Sequence, residues 1–214
     1  MLIQYPGNPD GERMVDFQLK ARGIYNEKLI AIMSLIPRHL FISGKKRSES
    51  YGDYPLSIGF RQTISQPYMV AVMTEKLRLT GREKVLEVGT GSGYQTAVLA
   101  ELAQEVYTVE RIPQLLKRSK KLLIEELGYP NIYFRSDDGS RGWPEAAPFD
   151  RILVAAAAPS IPPELKEQLA DNGILVIPVG GSSNYQQLTV LRRSGNHFTV
   201  EKGLGCRFVP LVRG

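Results

Sequence analysis

Short apolar runs alternate along the chain with longer segments in which apolar residues recur every three or four positions. From residue 84 onward this pattern predicts five strands, at 85–88, 106–109, 131–135, 149–155 and 173–179. It predicts helices between them, at 94–102, 113–128 and 163–169. Because strands that alternate with helices usually pair in parallel, the pattern predicts an α/β domain with a mostly parallel sheet.

Both ends of the chain depart from this alternation. Residues 187–202 form two short runs around the turn Ser194-Gly195-Asn196 and predict an antiparallel hairpin. Near the N-terminus, helices are predicted at 14–21 and 27–35, the second of them capped by Asn26. Residues 1–12 are polar and interrupted by prolines and glycines, so they predict a loose leader.

The segment 53–66 contains prolines and glycines that exclude a long helix, and it predicts extended chain with turns. A helix is predicted to begin near Pro67, because proline fits the first helical turn. Thr63 and Ser65 lie just before that start. Their hydroxyls are either simple helix caps or groups that bind an anion at the helix N-terminus, and both alternatives stay open.

The composition is that of an ordinary globular protein, with 43% hydrophobic and 23% charged residues among 214. We expect a single domain over 1–214, in which the leader is followed by added N-terminal helices and a loop at 13–80, and by an α/β core at 81–214. Cys206 is the single cysteine, so no internal disulfide forms, and a reducing, cytoplasmic location is expected.

The distribution of charged and apolar residues limits the kinds of partner that this chain is expected to bind. The net charge of +5 permits a nucleic-acid partner, but lysines and arginines are scattered, so none is expected. No run of about 18 apolar residues occurs, so no membrane partner is expected. Asp137 and Asp138 are adjacent without any cluster of His or Cys, so no metal is expected. His39 and His197 lack the neighbours of a catalytic triad.

The run Gly89-Thr90-Gly91-Ser92-Gly93, between the first core strand and its helix, is the main candidate for chemistry. Such a turn needs positive φ angles and close backbone approach, which glycine allows. Strand, glycine turn and helix N-terminus together form a cradle for a nucleotide-like ligand, although a tight turn in any α/β protein looks similar. The dinucleotide fingerprint is not met, because Tyr94 stands where its third glycine is required.

Two carboxylates accompany this glycine turn. Glu110 ends the second core strand, about twenty residues after Gly89, where a carboxylate can bind both hydroxyls of a ribose. Glu87 lies near the end of the first strand, where a strand that enters a buried turn would normally carry an apolar residue. The arrangement resembles motif I and the following acidic loop of S-adenosylmethionine-dependent methyltransferases, whose ligand carries no pyrophosphate.

Several further motifs make the resemblance specific to one family of these methyltransferases. They are GFRQTISQPYMV (59–70), VLEVGTGSGYQTAVLA (85–100), VERI (109–112), DDG (137–139), APFDRILV (147–154), NGILVIPVG (172–180) and RFVPLV (207–212). Together they resemble the signature of the protein-L-isoaspartate O-methyltransferases over about residues 14–212. The run 62–67 is specific, since other methyltransferases carry motif I without it.

The resemblance implies a Rossmann-like S-adenosylmethionine-dependent methyltransferase fold with a mostly parallel sheet, a C-terminal antiparallel hairpin and added N-terminal helices. It implies an enzyme that transfers a methyl group from S-adenosylmethionine to the free carboxylate of L-isoaspartyl residues, which initiates repair to L-aspartyl. Isoaspartyl-containing proteins and peptides are then the substrates. In this interpretation 13–80 includes an active-site loop, 81–214 binds the cofactor, and a monomer is expected.

The resemblance also implies site residues. Ser65 matches the active-site serine, and eleven residues match cofactor contacts, namely Gln62, Thr63 and Ile64, then Glu87, Gly89, Gly91 and Ser92, then Glu110 and Arg111, then Asp138 and Gly139. The group that begins with Glu87 corresponds to contacts with the methionine part of the cofactor. Glu110 and Arg111 correspond to contacts with the ribose, and Asp138 and Gly139 to contacts with the adenine. The segments 54–60 and 209–211 match parts that close over cofactor and substrate. Asp137 departs from the family, since many members carry glycine there.

The implied chemistry is consistent with the residues that are present. A carboxylate is ionised and nucleophilic at pH 7, so the enzyme needs no strong base and works mainly by positioning. The Ser65 hydroxyl can hydrogen-bond one carboxylate oxygen and aim the other. An extended substrate lying beside 54–60 would allow the extra backbone methylene of an isoaspartyl residue to be recognised.

Two other functions remain as alternatives. One is an S-adenosylmethionine-dependent methyltransferase that acts on RNA or a small molecule; the chain lacks the Asn-Pro-Pro-Tyr type of tetrapeptide that accompanies base N-methylation. The other is a non-catalytic binding protein that kept the fold. The presence of Ser65, Glu87, Glu110 and Asp138 argues against this loss of activity.

Overall fold

The computed structural model describes residues 3–42, 44–181 and 185–214. Within these ranges the α-helices are α1 (Pro9–Met14), α2 (Glu27–Leu35), α3 (Pro67–Leu77), α4 (Tyr94–Leu102), α5 (Pro113–Lys120) and α6 (Pro163–Glu167). Wider π-type turns extend α1 and α5, over Val15–Leu19 and Lys121–Glu126. Short 3-10 turns lie at Lys20–Arg22, Arg38–Phe41, Gly44–Glu49, Gly139–Arg141 and Pro144–Ala146. None of the described helices is long and apolar enough to cross a membrane.

The strands form two sheets. A small antiparallel hairpin contains β1 (Leu56–Gly59) and β2 (Gln62–Ile64). The main sheet contains β3 (Lys84–Val88), β4 (Glu105–Glu110), β5 (Ile132–Ser136), β6 (Phe149–Val154), β7 (Leu169–Val179), β8 (Gln186–Ser194) and β9 (His197–Cys206). Its seven strands have the order β5-β4-β3-β6-β7-β8-β9. Pairing is parallel from β5 to β7 and antiparallel from β7 to β9, which confirms the predicted sheet and hairpin.

The sheet has apolar side chains on both faces. Along β3, Val85 belongs to the larger core beneath the N-terminal helices, whereas Leu86 and Val88 belong to a second core on the opposite face. The strand order reverses at β3, which pairs with β4 on one side and β6 on the other. In open α/β sheets a ligand crevice forms at the carboxyl end of the strands where the order reverses.

The structure contradicts the prediction of a loose leader. Residues 1 and 2 lie outside the described residues, but Pro9–Met14 is helical, and the Asn8 side chain caps this helix by accepting from the backbone N–H of Gly11. The backbone N–H of Ile3 donates to the Glu101 carboxylate over 3.1 Å. The leader is therefore part of the folded domain, because these contacts compensate for its prolines and glycines.

One element boundary also differs from the prediction. The helix predicted at 163–169 ends at Glu167, because Leu169 already pairs with Phe149 as the first residue of β7. The C-terminal residues 208–212 lie beyond β9, and a parallel bridge joins Pro210 to Ala157. By contrast, the helices predicted at 27–35 and 94–102 are found with the same bounds.

Candidate functional site

A cavity opens at the carboxyl ends of β3, β4 and β6. One side, the strand-end wall, is formed by residues at or just beyond the ends of β3, β4, β5 and β6, at 88–92, 109–112, 139 and 155–156. The other side, the segment wall, is formed by 62–65 and 208–212. Side chains of two helices complete the lining, namely Val70 and Met73 of α3 and Tyr94 and Gln95 of α4.

The glycine turn gives the strand-end wall its shape. Gly89, Gly91 and Gly93 have φ angles of 97°, 52° and 88°, a region that favours glycine. The Gly89 backbone N–H donates to the Val109 carbonyl over 2.8 Å, and the Ala155 N–H donates to the Val88 carbonyl over 2.8 Å. The turn therefore continues the hydrogen bonding of the sheet beyond the ends of its strands.

Glu110 is buried at the edge of this turn, with 6% of its surface exposed. One carboxylate oxygen accepts from the backbone N–H of Gly91 over 2.9 Å, and the other accepts from that of Ile112 over 2.9 Å. Each carboxylate oxygen has a second lone pair, which leaves an acceptor for a ligand. Two fixed oxygens on a cavity wall can accept from a pair of hydroxyls, as the ribose prediction requires.

Glu87 lies at the end of β3 but is not part of the cavity lining. Its Oε2 accepts from the hydroxyls of Thr96 and Thr108 over 2.6 Å and 2.7 Å, and its Oε1 has no hydrogen-bond partner among the described residues. Burial raises the pKa of Glu87 to about 8, despite the two hydroxyl donors. Thr108 in turn pairs with Thr90 of the glycine turn over 2.6 Å, so hydroxyls connect this carboxylate to the cavity wall.

The two residues predicted to contact the adenine, Asp138 and Gly139, lie in different environments. Gly139 lines the cavity, and a Cβ at this position would lie 2.5 Å from Val88 Cγ1. Asp138 is not in the lining; its carboxylate accepts from the backbone N–H groups of Ser140 and Gly214 over 2.9 Å and 3.0 Å. Burial alone would raise the pKa of Asp138, but these N–H donors outweigh burial and lower it.

Ser65 lies between the end of β2 and the start of α3 and lines the cavity. Gln66 is the N-cap residue of α3, and no side chain caps this helix. The interpretation of Thr63 and Ser65 as helix caps is therefore wrong. The Ser65 carbonyl accepts from Arg38 Nη2 over 2.7 Å, which ties this segment to the residues after α2.

The second part of the segment wall crosses the end of β6. The Ala157 N–H donates to the Val209 carbonyl over 2.8 Å, and the Leu211 N–H donates to the Ala157 carbonyl over 2.7 Å. The Gln186 side chain makes a similar pair of bonds to the Phe208 backbone. It accepts from the Phe208 N–H over 2.6 Å and donates to the Phe208 carbonyl over 3.2 Å. The small residues that follow β6 permit this close passage.

The cavity brings together ten of the twelve residues predicted as site residues. The ten are Gln62, Thr63, Ile64, Ser65, Gly89, Gly91, Ser92, Glu110, Arg111 and Gly139, while Glu87 and Asp138 are absent from the lining. Sequence reasoning missed several lining residues, including Met73, Tyr94, Gln95 and Phe208. Met73 has the spacing of a core residue on α3, and only its place in the cavity lining distinguishes it.

Comparison with protein families and known sequences is consistent with this site. A family model described as protein-L-isoaspartate(D-aspartate) O-methyltransferase matches residues 11–214. The protein-L-isoaspartate O-methyltransferase of Dictyoglomus thermophilum is 55% identical over 193 residues, which cover 90% of this chain and 87% of that protein. That of Syntrophus aciditrophicus is 52% identical over 202 residues, which cover 94% and 92%.

Two solved structures share the fold. A protein-L-isoaspartate O-methyltransferase aligns with a TM-score of 0.84 and 26% identity, covering 95% of this chain and 66% of the other, so this chain spans just under two thirds of that one. A candidate protein-L-isoaspartate O-methyltransferase from Plasmodium falciparum, solved in complex with S-adenosyl-L-homocysteine, aligns with a TM-score of 0.81 and 25% identity, covering 95% and 99%.

Proposed function

The chain belongs to the protein-L-isoaspartate(D-aspartate) O-methyltransferase family, and on that premise we propose how its cavity residues direct methyl transfer. The protein is a methyltransferase (EC 2.1.1.77) that uses S-adenosylmethionine to methylate the free carboxylate of L-isoaspartyl residues in proteins and peptides. The observation that carries the proposal is the cavity itself, in which the glycine turn, Glu110 and Ser65 face one another across a single space.

The residues present fit S-adenosylmethionine. The glycine turn lines the cavity with backbone that a ligand can approach closely, because Gly89 and Gly91 carry no side chain. Glu110 would bind the ribose hydroxyls, and its carboxylate is held in place for this by two backbone N–H groups. Gly139 and Ile112 would contact the adenine. When bound, S-adenosylmethionine supplies an electrophilic methyl group on a sulfonium.

We assign Glu87 and Asp138 indirect roles toward the cofactor. Glu87 would support the glycine turn through Thr108 and Thr90, and its unpartnered Oε1 is available to a ligand or water that reaches it. Asp138 would fix the loop that carries Gly139, because it binds the N–H groups of Ser140 and Gly214.

On the acceptor side, the chain positions a carboxylate and excludes water. Ser65 would donate its hydroxyl to one oxygen of the isoaspartyl carboxylate and leave the other free to attack. No general base is required, because the acceptor is ionised at pH 7. Apolar lining residues, among them Val70, Met73, Val209 and Leu211, keep the space dry, which favours a step that neutralises opposite charges.

The test uses two peptides that differ only in one isoaspartyl or aspartyl linkage. Each is incubated with the protein and methyl-labelled S-adenosylmethionine, and base-labile methyl ester is counted. We expect label on the isoaspartyl peptide alone. Label on neither peptide, with S-adenosylhomocysteine still bound, would exclude the acceptor assignment and direct attention to RNA and small molecules.

The role of Ser65 is tested by Ser65→Ala. Loss of a hydroxyl that orients the acceptor should lower kcat by about 100-fold and leave the affinity for S-adenosylhomocysteine nearly unchanged. Ser34→Ala is the matched control, because the Ser34 hydroxyl donates to the Ala31 carbonyl within α2 and does not line the cavity. Equal kcat values for both variants and the wild type would remove Ser65 from the mechanism.

We further propose that the protein is a cytoplasmic monomer that does not bind nucleic acid. The single cysteine, which cannot form an internal disulfide, supports a reducing location. Several surface cations are paired with acids, as in Lys20–Asp16 and Lys76–Glu201, which supports the absence of a continuous basic surface. Light scattering after gel filtration tests the monomer, titration with RNA at low salt tests the absence of nucleic-acid binding, and cell fractionation tests the location.

A further inference from the structure

Arg38 is a buried cation close to the cavity. It begins the 3-10 turn Arg38–Phe41 after α2, and its side chain has no exposed surface. It forms no salt bridge within the described part of the chain, where it donates to backbone carbonyls, lies over an aromatic ring and is stabilised electrostatically by Tyr94 and, more weakly, by Asp53. Burial lowers the pKa of the Arg38 guanidinium, although an arginine stays charged under these conditions.

The guanidinium joins three segments that are distant in sequence. Nε donates to the Ser50 carbonyl over 2.6 Å, and Nη2 donates to the Ser65 carbonyl over 2.7 Å. Its Cζ lies 4.6 Å from the centre of the Tyr94 ring. Tyr94 is the first residue of α4, and both Tyr94 and Ser65 line the cavity. One planar group therefore spans the acceptor side and the helix that follows the glycine turn.

Burying Arg38 has a cost in stability. A buried charge carries a large desolvation penalty, which two carbonyl acceptors, the Tyr94 side chain and the nearby Asp53 carboxylate offset only in part. The hydrogen bonding is also incomplete, since Arg38 Nη1 and the Tyr94 hydroxyl are buried without partners among the described residues. An apolar side chain of similar volume would avoid the desolvation penalty but would leave the carbonyls of Ser50 and Ser65 without this donor, so the fixed pair of donors to these two carbonyls is the feature that needs a reason.

The position of Ser65 supplies that reason. The β1–β2 ladder ends at Ile64, and α3 begins at Pro67, so Ser65 belongs to neither element. Its carbonyl is held by Arg38. We propose that Arg38 is a positioning residue for methyl transfer, which fixes the Ser65 backbone relative to Tyr94 and so sets where the Ser65 hydroxyl meets the acceptor carboxylate. The proposal rests on the proposed role of Ser65.

Arg38→Lys tests the proposal, because lysine keeps the charge and loses the planar pair of donors. We expect kcat on the isoaspartyl peptide to fall about tenfold or more, with the affinity for S-adenosylhomocysteine within about threefold of the wild type. Arg151→Lys is the matched control. Arg151 also donates to two backbone carbonyls, of Leu77 and Asp150, over 2.6 Å and 2.7 Å, but it lies outside the cavity lining. Its replacement should lower stability without changing kcat.

A double-mutant cycle separates positioning from general loosening of the fold. If Arg38 acts through Ser65, Arg38→Lys should lower kcat by less than about threefold when Ser65 is already alanine. An equal loss in both backgrounds, or an unchanged kcat for Arg38→Lys, would overturn the proposal. Failure of the proposed function itself gives a different result, since the wild type would then form no ester on the isoaspartyl peptide.

A measurement on the wild type covers the case in which Arg38→Lys does not fold. Nitrogen-15 NMR of the arginine side chains reports rotation about the Nε–Cζ and Cζ–Nη bonds. A guanidinium fixed between two carbonyls should give separate, slowly exchanging Nη signals for Arg38. A single averaged signal would show that the group is not held in one orientation, and the proposal would then be wrong.

Discussion

The strand-end wall and the segment wall face the same cavity but are held in place by different contacts. The strand-end wall continues the hydrogen bonding of parallel strands, with bonds such as Gly89 to Val109 and Ala155 to Val88. The segment wall consists of two stretches outside the main sheet, held by the side chains of Arg38 and Gln186 and by the Ala157 backbone. The strand-end wall is thus built into the sheet, whereas the segment wall is attached to it.

The difference has a functional consequence. Changes in the strand-end wall should act mainly on cofactor affinity, because the backbone there forms the binding surface. Changes in the anchors of the segment wall should act mainly on kcat or on kcat/KM for the peptide, because they move groups that meet the acceptor. The following variants test this division, beginning with the largest expected effect.

Gly89→Val should have the largest effect, on cofactor binding. Gly89 has a φ of 97°, which a β-branched residue adopts only with strain of about 1–3 kcal/mol. The turn must shift to relieve it, and we expect binding of S-adenosylhomocysteine, measured by calorimetry, to weaken about 100-fold. Gly128→Val is the control: its φ is 79°, nothing lies within 4 Å of its Cβ position, and it is outside the cavity lining. Wild-type affinity in a folded Gly89→Val protein would show that the backbone conformation of the strand-end wall does not determine cofactor affinity.

Glu110→Gln should have the second-largest effect, which is a lower affinity for the cofactor. The amide presents an N–H₂ group to one of the backbone N–H donors of Gly91 and Ile112, so one hydrogen bond becomes a repulsive contact. Loss of a charge-assisted bond costs about 2 kcal/mol, which corresponds to about 30-fold in affinity. Glu105→Gln, at the start of the same strand, should bind as the wild type does. A kcat loss without an affinity loss would break the proposed division between the walls.

Gln186→Ala tests the segment wall. It removes two bonds to Phe208 from a side chain that is 2% exposed, and the C-terminal segment loses one of its anchors. We expect kcat/KM for the isoaspartyl peptide to fall about tenfold, with a smaller change in S-adenosylhomocysteine affinity. Gln187→Ala, at the next position, is the control. If Gln186→Ala affected the cofactor more than the peptide, the segment would belong functionally to the cofactor side.

Glu87→Gln should have the smallest effect, and it concerns stability rather than turnover. Burial raises the pKa of Glu87 to about 8, so between about pH 4.5 and 8 the unfolded chain releases a proton that the folded chain keeps. The free energy of unfolding therefore falls as pH rises through this range. In urea titrations at pH 5 and pH 8, the wild type should lose at least about 1 kcal/mol more than Glu87→Gln. Parallel pH profiles for the two proteins would show that Glu87 is already ionised in the folded state.

The sequence was sufficient to predict the strand-end wall because its determinants are local. An apolar strand, a glycine turn and an acid at the next strand end occur within about thirty residues, and parallel pairing brings their ends together. Glu87 and Asp138 were predicted as contacts from their positions in motifs. Within the chain their side chains bond to Thr96, Thr108, Ser140 and Gly214, and partners of this kind cannot be predicted from spacing.

The segment wall was predictable only in part. The resemblance identified Ser65 and 209–211 as parts of the site. Arg38 could not be assigned a role from sequence, since its bonds to Ser50 and Ser65 join positions 12 and 27 residues away. The packing of the leader was missed for the same reason, because Ile3 and Glu101 are 98 positions apart.

The exposed edge of strand β9 bears on aggregation between this enzyme and its substrates. This strand is the outer strand of the sheet, exposed at eight of its ten positions, and it presents Phe198 and Val200 together with unpaired backbone groups. Such an edge can template aggregation with other extended chains. Glu201 and Lys202 interrupt it, and Glu201 is paired with Lys76 and Arg192. Charges at a strand edge disfavour such pairing, so Glu201 and Lys202 protect an enzyme that must meet damaged chains.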